Sequence, residues 1–309
     1  MADHDLSGFE RGTFTHAGVT RRTLRRGTGP AVIVLAEIPG ITPKVLEFAE
    51  RVAAIGCTAV LPVLFGTPGR DIDPAAAGRL ATGRYVAASM RKVCVSREFT
   101  VLATGKSSPV VTWLRALAAH EHERCGGPGV GAVGMCLTGG FALAMAVDDR
   151  LLAPVLSQPS LPLPLTRSRA ARIDISPEEL AVVRGRCQRE GLQVMGLRFR
   201  SDKLVPEARF DFLRRELGDA FLAVELDDAA ANPDAATPPH SVLTEHLIDE
   251  PGQPTRAALD GVLDLFRTRL LPPGPDQDRE PGQDRETDQE RDESGDEGQA
   301  QEQDTTTGA

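Results

Sequence analysis

What this 309-residue chain lacks narrows the field first. No apolar run reaches the roughly 18–20 residues that cross a bilayer. The start, Met1-Ala-Asp-His-Asp-Leu6, has neither the cationic nor the apolar segment of a signal peptide. A soluble, cytoplasmic protein is expected. The five cysteines (Cys57, Cys94, Cys125, Cys136, Cys187) are odd in number and include no Cys-x-x-Cys pair. That pattern argues against a disulfide framework and against a zinc site. His120 and His122 lie two apart on an expected helix and point to different faces, so they make a poor metal pair. No metal or cofactor is expected. Cys57 and Cys94 stand in apolar surroundings and read as core, and a reducing compartment suits any catalytic thiol among the rest.

A basic excess is also missing. The last 38 residues, from Pro272, hold 13 acidic residues and 3 arginines, a net −10. The remainder carries 32 basic and 31 acidic residues, so the overall −9 belongs to a tail. That tail has almost nothing to bury and is expected to be disordered; its repeated Gln-Asp-Arg-Glu pieces, at 277–280 and 283–286, read as low complexity. A near-neutral body gives no reason to expect nucleic acid, which needs a basic face. The one local exception, Arg21-Arg22 and Arg25-Arg26, fits an exposed edge strand blunted by charge. The body has no internal repeat.

The body itself alternates. Strand-like runs fall at 31–36, 58–64, 130–135, 151–157, 192–199 and 220–226. Helical patterns fall near 43–55, 107–122, 137–147, 177–189, 205–216 and 254–270. This alternation predicts an α/β domain over about 10–271, with a mostly parallel sheet of seven or eight strands and helices on both faces. Residues 13–25 would add one or two antiparallel strands at an edge. Ser176-Pro177-Glu178-Glu179 reads as a capped helix start, and Thr42-Pro43 as another. Residues 66–104 fit the alternation poorly and are expected to be an excursion facing substrate, because loops at the carboxyl ends of strands line the crevice of such sheets.

One local pattern carries chemistry. In Gly129-Val-Gly-Ala-Val-Gly-Met-Cys136-Leu-Thr-Gly-Gly140 a short buried strand meets a helix of small residues, with Cys136 on the turn between them. Such a turn strains the nucleophile's backbone and needs tiny neighbours. It also sets the thiol over a helix N-terminus, which favours the thiolate. The bland alternative is a small buried hydrophobe on a tight turn. The rest of the chain favours chemistry: Asp202 leaves the end of the 192–199 strand, and His240 follows the 220–226 strand. Nucleophile, acid and histidine are thus in the order of an α/β-hydrolase triad. Asp227 and Asp228 compete with Asp202, but the acid belongs one strand before the histidine loop; Asp202 could also serve only as a helix cap. His246 competes with His240, but it falls in a stretch that looks more regular and internal.

Taken together, Gly-Met-Cys136-Leu-Thr-Gly-Gly, Asp202 before Val205-Pro206, His240-Ser241 and Glu37 before Ile38-Pro39-Gly40 resemble the dienelactone hydrolase family, over about residues 12–270. The resemblance implies an enzyme with a Cys136–Asp202–His240 triad that cleaves a small ester or lactone without a cofactor. It implies a Glu37 that contacts the resting thiol, and an oxyanion hole from the backbone N–H groups of Leu137 and Ile38. Two positions depart from the family. Thr138 replaces a glycine and is expected to open the turn slightly. Thr244 stands where members that cleave dienelactone have an arginine, so the reaction type carries over and that substrate does not. Arg97 is a candidate anion clamp in place of that arginine; a surface arginine paired with Glu98 is the alternative. A binding module without turnover, acyl transfer or carbon–halogen cleavage on the same triad remain open readings.

Overall fold

A computed structural model describes residues 6–71, 78–95 and 105–272. Eight strands form one sheet there: β1 (Glu10–His16), β2 (Val19–Gly27), β3 (Ala31–Leu35), β4 (Thr58–Pro62), β5 (Val130–Met135), β6 (Leu151–Ser157), β7 (Val194–Phe199) and β8 (Phe221–Leu226). Their order is β1-β2-β4-β3-β5-β6-β7-β8. The β1–β2 and β2–β4 pairs are antiparallel and all the others parallel. Strands buried on both faces read as continuous apolar runs, which is why Ala31-Val-Ile-Val-Leu35 was legible as one. Successive residues of β3 face opposite cores: Ile33 and Leu35 join one buried cluster, Val32 and Val34 the other.

Helices cover both faces. One face holds α1 (Pro43–Ala54), and the other holds α3 (Val110–Cys125), α4 (Gly139–Met145), α6 (Pro177–Glu190) and α7 (Glu207–Leu217). The last helix, α8 (Pro254–Leu270), lies on the α1 face. Two short or peripheral helices complete the set, α2 (Arg79–Val95) and α5 (Arg167–Ala170). The caps follow the sequence signals: Ser176 Oγ accepts from Glu179 N at 3.2 Å, and Thr42 Oγ1 from Val45 N at 3.4 Å.

Two expectations need correction, and the 66–104 excursion holds an element that the pattern did not show. Most of the 66–104 excursion that is described is helical, in α2. Its low apolar content left no face with a clear period, so composition masked it. The Arg21–Arg26 cluster does not lie on the sheet's edge, because β1 covers β2. Arg25 turns inward and forms a buried pair with Glu121 (Nε to Oε2, 2.9 Å), while Arg26 reaches Glu50. The segment around His246 is internal but irregular, a series of turns. Cys57 is buried as expected; the Cys94 side chain, Arg97, Glu98 and the acidic tail from Pro273 lie outside the described residues.

Candidate active site

Register explains why residues far apart in sequence meet. Leu35 pairs with Gly134, and Met135 with Ser157. Continuing those parallel strands brings Glu37 after β3, Cys136 after β5 and Gln158 after β6 to the same carboxyl end of the sheet. Asp202 leaves β7 at that end too, and His240 arrives on the segment after β8.

Cys136 has φ +56°, left-handed backbone that a non-glycine residue rarely adopts. It opens a single 3-10 turn, Cys136–Thr138, that runs into α4. The glycines around it are required by contact. A Cβ on Gly134 would stand 2.1 Å from the Thr138 carbonyl oxygen, and one on Gly139 2.5 Å from Pro159 Cα. Thr138 does not loosen this turn, contrary to expectation. Its hydroxyl accepts from Met135 N–H at 2.9 Å and lies 2.9 Å from the carbonyl oxygens of Met135 and Leu35. A buried hydroxyl so placed ties the turn to β3, a job that glycine could not do.

The three triad candidates converge, with one gap. His240 Nδ1 lies 2.6 Å from Asp202 Oδ2. The other Asp202 oxygen accepts from Leu204 N–H at 2.9 Å within the turn that precedes α7; that helix begins at Glu207 with Pro206 at its N-cap and no side-chain cap, so Asp202 does not cap it. His240 Nε2 is buried and has no hydrogen-bond partner. Burial pushes the imidazole's pKa down, but the charge of Cys136, the hydrogen bond to Asp202, the sulfur as a neighbouring acceptor and the Asp202 charge outweigh it and hold His240 well above its ordinary value. Cys136 is the nearest group to act on Nε2, though no hydrogen bond between them is formed in the resting geometry. The rivals are placed elsewhere. Asp227 and Asp228 are exposed, and Asp227 pairs with Arg200. His246 is buried, accepting from Ser241 N–H at 3.1 Å through Nδ1 and meeting Thr237 O at 3.0 Å through Nε2. It pins the loop that carries His240.

Glu37 is buried, and its carboxylate accepts from three side chains: Ser241 Oγ at 2.6 Å, Gln158 Nε2 at 3.2 Å and the Thr244 hydroxyl. No hydrogen bond joins it to Cys136 among the described residues. Thr244, in the place of the family's arginine, therefore faces Glu37. Ile38 follows Glu37 half-buried, and Leu137 follows Cys136 in the first turn of a helical segment, where an N–H has no intrahelical acceptor.

Three residues escaped the sequence reading. Gln158, with φ +36°, bridges Glu37 and the histidine loop, since its Oε1 accepts from Val242 N–H at 3.3 Å. Ser160 approaches the thiol, Oγ to Sγ 3.6 Å. Both are polar residues just past the carboxyl end of a central strand, and that position was the available signal. Arg209 gave none, since it reads as an ordinary surface residue of α7. It is fully buried and donates to the carbonyls of Pro159, Pro162, Arg169, Arg172 and Leu204, at 2.6–3.3 Å. Burial pushes its pKa down to about 10, with Asp202 acting in the opposite direction. It remains a cation at neutral pH, solvated by backbone.

Among the described residues no group of three or more His, Cys, Asp or Glu side chains could hold a metal, and no helix is long and apolar enough to cross a membrane. A cavity of about 280 Å³ between α6 and α7, lined by residues such as Arg172, Leu180 and Phe212, includes none of the triad candidates.

Solved structures share this architecture. A promiscuous dienelactone hydrolase-like phosphotriesterase from metagenomic libraries is 16% identical, with TM-score 0.51 over 85% of this chain and 98% of that one. A candidate dienelactone hydrolase of Klebsiella pneumoniae subsp. pneumoniae MGH 78578 is 17% identical, with TM-score 0.51 over 84% and 98%. A 2,6-dihydroxy-pseudo-oxynicotine hydrolase is 17% identical, with TM-score 0.51 over 86% and 70%. At such identities the likeness speaks for the fold, which is that of the α/β-hydrolases. No curated protein sequence matches the chain. The model of the dienelactone hydrolase family matches residues 19–173, just over half of the chain and including β2 to β6 with the Cys136 turn, so the chain belongs to the dienelactone hydrolase family.

Proposed function

We propose that the protein hydrolyses a small carboxylic ester or lactone through a thioester on Cys136. The observation that carries this reading is the 2.6 Å contact between His240 Nδ1 and Asp202, made beside a cysteine held at positive φ on a strand-to-helix turn. With Nδ1–H given to Asp202, the tautomer leaves the Nε2 lone pair free to take the thiol proton. The sulfur then adds to the acyl carbon, and His240 returns the proton to the departing oxygen as the carbon–oxygen bond breaks. Water, deprotonated by the same imidazole, cleaves the thioester and restores the thiol. The backbone N–H groups of Leu137 and Ile38 would hold the oxyanion, one such donor being worth about 3 kcal/mol.

The test is a panel of small aryl esters and lactones, with a phosphotriester included because one structural neighbour bears that activity in its name. Turnover by the wild-type protein, absent in a folded Cys136→Ala, is the expected result, with iodoacetamide alkylation of Cys136 abolishing activity. Undiminished turnover by Cys136→Ala would reject the thioester route. A protein that binds these compounds without turning any over would belong with the non-catalytic binding modules.

A further inference from the structure

The turn after β6 is more elaborately built than a connection needs to be. Gln158 takes a left-handed conformation and donates its N–H to Leu197 O at 2.8 Å. Pro159 packs on the start of α4 where Gly139 has no side chain. Ser160 then hooks back toward the thiol, its N–H donating to the Cys136 carbonyl at 2.9 Å. Arg209 holds the same turn from behind through the carbonyls of Pro159 and Pro162, each at 2.6 Å. Backbone strain of this kind persists only where the surroundings over-determine it, and it gathers at functional sites. What the turn delivers to the site is one hydroxyl: Ser160 Oγ is buried, 3.6 Å from Cys136 Sγ and 3.0 Å from Gln158 O.

Glu37, the group the family resemblance sets against the thiol, is engaged elsewhere. Its two oxygens accept from Ser241, Thr244 and Gln158, all neutral donors. Two of those three belong to the histidine loop. We infer that Ser160 is the group that meets the thiol in this protein, and that Glu37 is a positioning residue which anchors the His240 loop. This rests on Cys136 being the nucleophile. A serine hydroxyl has one proton and two acceptors here. Against a neutral thiol, a weak acceptor, it donates to Gln158 O. Against a thiolate it turns to sulfur, where the charge strengthens the bond. The exchange needs only rotation of the hydroxyl, so the thiolate gains a donor without any movement of the chain. The other charged groups around the sulfur are His240 in front, Asp202 behind the imidazole, Glu37 at the end of β3 and Arg209 beneath the turn.

The experiment reads the sulfur directly. The rate of Cys136 alkylation by iodoacetamide, quantified at that residue by mass spectrometry, is followed against pH in wild type, Ser160→Ala and Glu37→Gln. Ser160→Ala is expected to move the profile up by about one pH unit and to slow alkylation at neutral pH by about 5–10-fold, because the thiolate loses a hydrogen bond. Glu37→Gln is expected to lose esterase activity while its profile stays at the wild-type midpoint. A Ser160→Ala profile superposed on wild type would overturn the inference. So would a Glu37→Gln profile shifted down by a unit, since removing a carboxylate that touches the thiol must ease its ionisation. Should Ser160→Ala fail to fold, Ser160→Gly takes its place, with the same upward shift expected and the same superposition on wild type overturning the inference. Turnover does not enter the alkylation profiles: failure of the esterase proposal would appear as activity in Cys136→Ala or as no turnover by the wild type, whatever the profiles show.

Discussion

Two side chains carry pH dependence that can be measured. His240 binds its proton more tightly in the folded protein, because the charges of Cys136 and Asp202 outweigh burial. That contribution to stability is whole below about pH 6.5, the ordinary imidazole value, and is lost as the pH rises through the raised folded value. Asp202→Asn should flatten the fall of the urea midpoint as the pH rises above the ordinary imidazole value and lower kcat by roughly 10³–10⁴-fold through loss of the tautomer. An unaltered slope would mean that the contact does not hold the proton. Glu245 is a second case. Burial, and then the neighbouring Glu37 carboxylate, push its pKa up to about 7, with Lys44 opposing. The sign is the same: stability from this group is whole below about 4.5 and falls as the pH rises through about 7. Glu245→Gln is therefore expected to stabilise the protein at pH 8 by on the order of 2 kcal/mol and to leave it unchanged near pH 4.5. Chemical denaturation at the two pH values checks this. The sequence singles out His240 by its place after the 220–226 strand and offers no signal for Glu245, and the environment of neither is readable from the chain.

At the level of elements, the strand-to-helix turn was the most legible feature, since glycine spacing and burial are local properties. Even there, Thr138 was misread. Two positions after the nucleophile a threonine suggests crowding, and only the structure supplies the Leu35 carbonyl its hydroxyl reaches, 103 residues away. Arg209 is the extreme case. From α7 it joins the turn after β6, the α5 region and the segment next to Asp202, using five backbone carbonyls and no ion pair among those described. Arg209→Met would leave the Pro159 and Pro162 carbonyls buried and without this donor, and each costs about 1–3 kcal/mol. A loss of at least about 3 kcal/mol in unfolding free energy is expected from urea titration. Arg209→Lys should recover little of it, because an ammonium cannot span the forked geometry. A near-neutral Arg209→Met would show that the clamp is dispensable.

For the whole molecule, charge and burial are segregated along the chain. The net −10 of the last 38 residues sits in a stretch with no apolar side chain larger than proline. Deleting residues 275–309 is expected to leave both the melting temperature and esterase activity near those of the full chain. A drop of several degrees on calorimetry would show that the tail contributes to the fold. The two apolar cores on the faces of the sheet follow from the alternation of strands and helices, while the right-handed crossover rule narrows the strand order without fixing it.

The sequence by itself determined the class of fold, the approximate bounds of most elements, the turn at Cys136 and the order of the triad candidates along the chain. These rest on short-range information: periodicity, caps, glycine spacing and the order of motifs along the chain. Tertiary structure alone decided what each side chain touches. Glu37 meets Ser241 and Thr244 across 204 and 207 residues, and Ser160 meets Cys136 because Ser157 pairs with Met135 on the neighbouring strand. Such contacts depend on strand register and on which polar groups burial leaves in need of a partner, and neither is a local property of the chain.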